Sequence, residues 1–319
     1  MKKLLLISIF VFELFAVQNL KPSFTIEASG FVTDFLLEDG KLYSATDQGK
    51  VEIYDIKTKK LTKSIKVNDI KDFMGDTIPA KIYSVDKLNN QIIMVSQGLK
   101  GYRDITLYDG KNSKKVINHN QKLFIKKARF VDKDTIILGM LSNEIILFDL
   151  KTKKNIYRVQ ISQSHFSDFS ISKDKSYIIV SDESGILSKV DARSGKILQT
   201  YEGQNLDNVY QVVTKNGIII TAGQDRKAGV YSNIDKNYSG YHVICDFLVY
   251  SVGLSPKATR GGVAHNEKND VLIFDIDSGS RLFNLTGQTG TLTKIYFTDE
   301  NNVITSNEGK SINFFKLKK

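Results

Sequence analysis

The sequence predicts an all-β chain closed into a single seven-bladed β-propeller, and three observations predict it. Short β-rich runs alternate with turn residues throughout, an aromatic-Asp pair returns at a nearly constant interval, and the last repeat lacks one strand that the start of the chain can supply. The runs include residues 50–56 (KVEIYDI), 104–109 (DITLYD) and 144–150 (EIILFDL), bounded by Asn, Asp, Gly or Lys. No long amphipathic helical pattern interrupts them, so the period-2 signal dominates.

The pairs are Tyr54-Asp55, Tyr108-Asp109, Phe148-Asp149 and Phe274-Asp275, with degenerate equivalents at Val190-Asp191, Tyr231-Ser232 and Phe314-Phe315. Their second members are separated by 54, 40, 42, 41, 43 and 40 residues. A period of about 41 residues belongs to propeller repeats with four strands per blade. The fourth unit shows the plan, with strands over residues 165–172, 177–181, 185–190 and 196–201. The fifth unit, residues 208–245, is the most degenerate. The seventh has strands at 292–298, 303–306 and 311–317 and then stops. Residues 23–28 (SFTIEA) are predicted to be its outer strand, which would leave no open sheet edge at the seam. The seven units occupy residues 17–319 as one domain.

Over nearly all of that span the aromatic-Asp repeat resembles the WD40-type propeller family. Every Trp of the family's Trp-Asp signature is Tyr, Phe or Val here, and no Gly-His dipeptide opens a repeat. Asp47, Asp182 and Asp225 lie where the family's turn Asp lies, but the preferred reading is of turn residues capping their own backbone. Within a Trp-less, Lys-rich propeller, residues 72–86 (DFMGDTIPAKIYSVD) resemble the NapL family, propellers encoded with periplasmic nitrate reductases. That resemblance implies an accessory or maturation role and a partner among periplasmic nitrate reductase components, with no catalytic residue to carry over.

The first sixteen residues read as an address. Lys2 and Lys3 precede an apolar run over 4–12, and Ala16 offers a cleavage site before Val17. Polar Gln18, Asn19 and Lys21 end the run short of the roughly 20 apolar residues a membrane span needs. The prediction is a cleavable Sec-type signal, a periplasmic protein and no stable membrane insertion.

Composition narrows the chemistry. The formal charge is +10, but 38 Lys against 7 Arg, interleaved with 35 acids, is a poor pattern for nucleic acid. The single Cys245 excludes an internal disulfide and a CxxC pair. His119, His165, His242 and His265 are scattered; His165 and His242 fall near the entry of inner strands and read as structural. Haem attachment, nucleophile-elbow and phosphate-loop motifs are missing, and Gly261-Gly262 reads as a turn. The expectation is a non-enzyme without cofactor or metal. A propeller hydrolase or lactonase is the competing reading, with Asp225, Arg226, Asp246 and Arg260 as nominal residues around a channel-bound divalent ion; an outer-membrane assembly factor is a third.

Two loops depart from the repeat. Residues 68–80 (NDIKDFMGDTIPA) lengthen the step from blade 1 to blade 2, and residues 97–103 (QGLKGYR) lengthen a turn within blade 2. Propeller topology puts both on one face. There Phe73 and Tyr102 are the predicted anchors for a protein partner, with Met74 and Ile78 nearby and Asp72, Asp76 and Arg103 at the rim. The same apolar residues have an alternative, folding back over the blade. The opposite face is predicted to be basic, through Lys57, Lys59, Lys60, Lys111, Lys114, Lys115, Lys151, Lys153, Lys154, Arg193 and Lys196. Those lysines suit an acidic partner or simply solvated turns. The molecule is expected to be a monomer.

Overall fold

The computed structural model describes residues 17–317; the leader predicted over residues 1–16 lies outside them. Seven sheets form the blades, each built on four antiparallel strands. Blade 1 runs Val32–Glu38, Lys41–Thr46, Lys50–Asp55 and Leu61–Lys66 from the axis outward. Blades 2 to 6 follow over residues 82–117, 125–160, 166–201, 209–244 and 252–285. Blade 7 contains Leu292–Asp299, Asn302–Asn307 and Ser311–Lys316. Its outer strand is Phe24–Glu27, antiparallel from Phe24↔Phe314 to Glu27↔Ser311. The chain start therefore closes the ring as predicted. It also does more: Gln18–Leu20 pairs in parallel with Arg281–Leu285 and makes blade 6 five-stranded. Residues 18–27 thus staple two neighbouring blades.

The repeating pair has a mechanical cause. Its aromatic member is buried, as at Tyr54, Phe148, Tyr231 and Phe274, packing against the adjoining blade. The Asp that follows holds the turn into the outer strand. Asp55 Oδ1 accepts the amides of Lys57 and Thr58 at 3.0 and 2.8 Å, and Asp149 Oδ1 those of Lys151 and Thr152 at 2.7 and 2.8 Å. The turn then passes through a left-handed residue, Lys59 or Lys153. Register moves the seventh pair by one residue: Asn302 faces Lys316 as Lys41 faces Asp55, so the equivalent is Phe315-Lys316. Blade 7 takes its outer strand from the other end of the chain and has no such turn, which is why no Asp is needed there.

Two expectations change. Gly261-Gly262 lies inside the strand Arg260–Ala264, not in a turn. A Cβ on Gly261 would stand 2.4 Å from Phe274 Cζ of the neighbouring strand in the same blade, whereas one on Gly253 in the adjacent inner strand would stand 2.6 Å from the Ile295 carbonyl and one on Gly262 3.1 Å from Ile295 Cγ2, so Gly253 and Gly262 let blades 6 and 7 close together. His242 sits in the outer strand Ser239–Ile244, with Nδ1 3.1 Å from Gln204 Oε1, and not at an inner strand. The fifth unit is a regular four-stranded blade.

Candidate functional site

Because successive strands alternate in direction, each disc face carries its own class of loop. One face, here the connection face, has the blade-to-blade connections and the second-to-third-strand turns. The other, the turn face, has the inner-to-second and third-to-outer turns.

On the connection face, residues 68–80 form a small hairpin, Ile70–Lys71 against Thr77–Ile78. Buried Val67 and Ala80 pin its base, and Ile70 packs on the core between blades 1 and 2. At the tip Asp72 Oδ1 accepts the amides of Met74 and Asp76, both at 2.9 Å, while Gly75 turns at φ +90°. With its backbone satisfied by Asp72, the tip directs Phe73 outward; its side chain is 96% exposed and that of Met74 73%. Asp76 is exposed beside them, and Ile78 is half-buried.

The second loop contains a short 3-10 turn, Leu99–Gly101. Tyr102 is half-buried against Phe124 from the next connection, ring centroids 4.7 Å apart. The Arg103 guanidinium lies 4.1 Å above the Tyr83 ring, a cation–π contact, and burial holds it below its usual pKa. The two predicted anchors therefore differ. Phe73 is a free projecting side chain, whereas Tyr102 is set in an aromatic-cationic platform with Phe124, Tyr83 and Arg103.

Other connections on this face expose Phe31, Ile186 and Leu206. Turn aspartates hold several of them. Asp47 Oδ1 accepts the Phe31 amide at 2.8 Å, and Asp225 takes Asn205 Nδ2 and the Leu206 amide, both at 3.0 Å. Asp182 caps the Ser184 amide of its own turn with Oδ1 and reaches Asn143 Nδ2 and Ser162 Oγ with Oδ2.

Sequence reasoning missed the axis. In blades 1 to 5 and 7 the inner strand carries a bulge at one level, and a polar residue follows it: Asp34, Ser84, Lys127, Asp168, Gln211 and Lys294. Several reach into the next blade. Asp34 Oδ2 accepts the Val85 amide, Asp168 Oδ2 the Val212 amide and Gln211 Oε1 the Val252 amide, at 3.2, 3.2 and 2.9 Å. Lys127 donates to Asp168 Oδ1 and the Phe169 carbonyl, both at 2.7 Å; Lys294 does the same to Asp34 Oδ1 and the Phe35 carbonyl, at 2.8 and 2.5 Å. Burial alone would raise the Asp34 carboxyl, but Lys294, Arg129 and Lys127 hold it far below the usual carboxylate range. The signal was present in the sequence, one polar residue two places after the buried apolar start of the inner strand in those six blades. Its chemistry varies from blade to blade, so no motif announces it.

The residues proposed for a channel-bound metal do not meet. Asp225 is engaged with Asn205, Arg260 donates to the Glu300 carbonyl and Asn301 on the turn face, and Asp246 and Arg226 are exposed. Among the described residues no three His, Cys, Asp or Glu side chains are grouped to hold a metal ion, and no helix is long and apolar enough to cross a membrane. The lysines of the turn face are partly neutralised: Lys151 pairs with Asp134 at 2.7 Å, and Arg193 with Asp132. Lys115 instead pairs with the buried Asp104.

No family model matches the chain, and no curated protein does either. Solved structures do: 1886 chains match, so the shape is widespread and fixes no task. One is the β-propeller domain of Cps50 (Swd1) from Myceliophteria thermophila, with 14% sequence identity, a TM-score of 0.75, and coverage of 92% of this chain and 98% of that one. The likeness shows the fold alone: this chain is a seven-bladed β-propeller.

Proposed function

We propose that the protein is an exported, non-enzymatic scaffold that docks a protein partner through its connection face, centred on the blade 1–2–3 sector. The observation that carries this is the hairpin tip, where Asp72 satisfies the backbone so that Phe73 and Met74 project from a rigid disc. Beside it, Tyr102, Phe124 and Arg103 over Tyr83 give a fixed aromatic-cationic platform. Large apolar side chains held out beside polar rims are the anatomy of a contact surface, and wide propeller faces suit that use. The finer reading is an accessory or maturation factor of periplasmic nitrate reduction, as the resemblance of residues 72–86 to the NapL family implies. Export rests on the leader pattern in residues 1–16.

Cross-linking in the native envelope, followed by mass spectrometry, tests the docking reading. A discrete partner bridged to the 68–80 hairpin or the 97–103 turn is expected. Cross-links scattered over both faces would reject it. Deleting the gene tests the finer reading: slower respiration on nitrate with an intact envelope is expected, and a leaky envelope with normal nitrate respiration would favour the assembly-factor alternative.

A further inference from the structure

The axial cavity, about 310 Å³ in volume, carries a charge imbalance. Its lining includes the cations Lys126, Lys127, Arg129, Lys215 and Lys294 but only the carboxylates Asp34 and Asp168. Both carboxylates are fully engaged. Asp34 binds Lys294 at 2.8 Å and Arg129 at 3.0 Å, besides the Val85 amide, and Asp168 binds Lys127 at 2.7 Å, besides the Val212 amide. Lys126 reaches solvent at the mouth. Lys215 is half-buried, and its ammonium donates only to the Leu254 carbonyl, at 2.6 Å, while lying 5.3 Å from the centre of the Tyr296 ring.

An ammonium has three N–H donors, so Lys215 keeps two and Lys294 one beyond the contacts named. Two cations near each other in a confined, poorly hydrated space repel, and an unpaired charge there is unfavourable unless a counter-charge arrives. Burial, reinforced by the charge of Lys294, pulls Lys215 down to about 8. The same low-dielectric surroundings strengthen attraction to an anion. We propose that the axial cavity is a binding site for a small oxyanion of the carboxylate or phosphate class, seated between Lys215 and Lys294 beside Tyr296. Tyr83 both lines the cavity and lies beneath Arg103 of the docking platform, while the proposed seat is the Lys215–Lys294 side of the cavity, so a small anion and a protein partner would engage different parts of one disc.

The test is titration calorimetry of the mature protein with inorganic phosphate and, separately, citrate, at constant ionic strength set with sodium chloride. Saturable binding of either anion is expected, and which of the two binds more tightly identifies the source of the oxyanion. Lys215→Met should weaken that binding at least tenfold, while Lys153→Met on the turn face leaves it unchanged. The Lys215→Met protein should also melt higher than wild type in the chloride buffer, because it loses an uncompensated ammonium; this reports folding independently of binding. Absence of saturable binding by both anions, or equal affinity in wild type and a folded Lys215→Met, would overturn the assignment. Neither result bears on partner capture.

Discussion

The two faces of the disc are built from the same repeat and differ in what their loops must do. On the turn face, loops are short and self-capped: an Asp closes the third-to-outer turn of blades 1 to 4 and 6 with one oxygen, and Lys151 and Arg193 find Asp134 and Asp132 while other lysines face solvent. On the connection face, the chain must cross from an outer strand back to the axis. Its turn aspartates are committed to holding that crossing, and apolar side chains such as Phe73, Leu206 and Phe31 are left outside. Economy of local hydrogen bonding thus makes one face uniform and soluble, and leaves the other free to vary in length and chemistry. Variation in a connecting loop on a rigid scaffold is where binding is usually placed.

The difference governs what could be read from the sequence. The turn face was legible because its capping Asp recurs next to a buried aromatic residue in consecutive units, giving blade count and strand order. The closing strand at Phe24–Glu27 was legible from the missing member of the last unit. The parallel addition of Gln18–Leu20 was not, since three residues carry no period and parallel pairing leaves no turn. On the connection face the loop expansion was legible as extra length. The Tyr102–Phe124 and Arg103–Tyr83 stacks were not, because Tyr102 meets Phe124 from the connection to the next blade and Arg103 of the third strand of blade 2 meets Tyr83 of its inner strand, contacts that no spacing along the chain announces.

The seam sets the largest expected effect and damages both faces alike. Removing residues 17–29 from the mature protein bares the edges of blades 6 and 7, exposing Phe314 and the Arg281–Leu285 strand. A strongly lowered melting temperature is expected, with lost partner capture and increased aggregation. An unchanged melting temperature would reject the closure.

Gly253 tests packing between blades without touching either face. A Cβ there meets the Ile295 backbone carbonyl at 2.6 Å, an obstacle that cannot rotate away. Gly253→Ala is expected to destabilise by about 1–3 kcal/mol, the usual range for overpacking, measured by chemical denaturation.

On the connection face alone, changing Phe73 and Tyr102 together to Ala should weaken partner capture by roughly tenfold or more, the scale of a lost aromatic anchor. Phe73→Ala should leave the melting temperature unaltered, its side chain being almost wholly exposed. Tyr102→Ala should lower it slightly through loss of the Phe124 contact. Capture that survives the double change would remove this sector from the interface.

Acid should act first on the turn face. Backbone amides of Thr58, Asn112, Thr152, Ser194 and Ser278, in that order, hold the carboxyls of Asp55, Asp109, Asp149, Asp191 and Asp275 below the usual range. A carboxyl depressed in the folded state contributes stability above its unfolded value, near 3.9, and loses it as pH falls through the folded value. The melting temperature should be flat from pH 7 to about 5 and fall progressively below about 4. Lys215 has the opposite sense. Its folded value near 8 lies below the unfolded one, so the folded state gains stability as pH rises from about 8 toward 10.4. The charges of Lys294 and Glu300 act on Lys215 and the Tyr296 ring lies beside it, so comparison with Lys215→Met isolates the contribution of Lys215.

The smallest expected effect belongs to the lysines of the turn face. Neutralising Lys59, Lys60, Lys153 and Lys154 with Gln removes four charges remote from the hairpin. Three of them are exposed; Lys59 is the exception, half-buried with its ammonium 3.9 Å from the Phe314 ring centre. At physiological salt, exposed charges are screened over about 8 Å, and such charges mainly alter encounter rate. Partner affinity should therefore change less than twofold at about 0.15 M salt, with a modest slowing of association at low salt, read by surface plasmon resonance. Any loss of stability should trace to Lys59 alone and disappear when only Lys60, Lys153 and Lys154 are changed. If instead capture is abolished by the lysine set and survives without Phe73 and Tyr102, the partner sits on the turn face, and the contrast between the two faces would have to be reassigned.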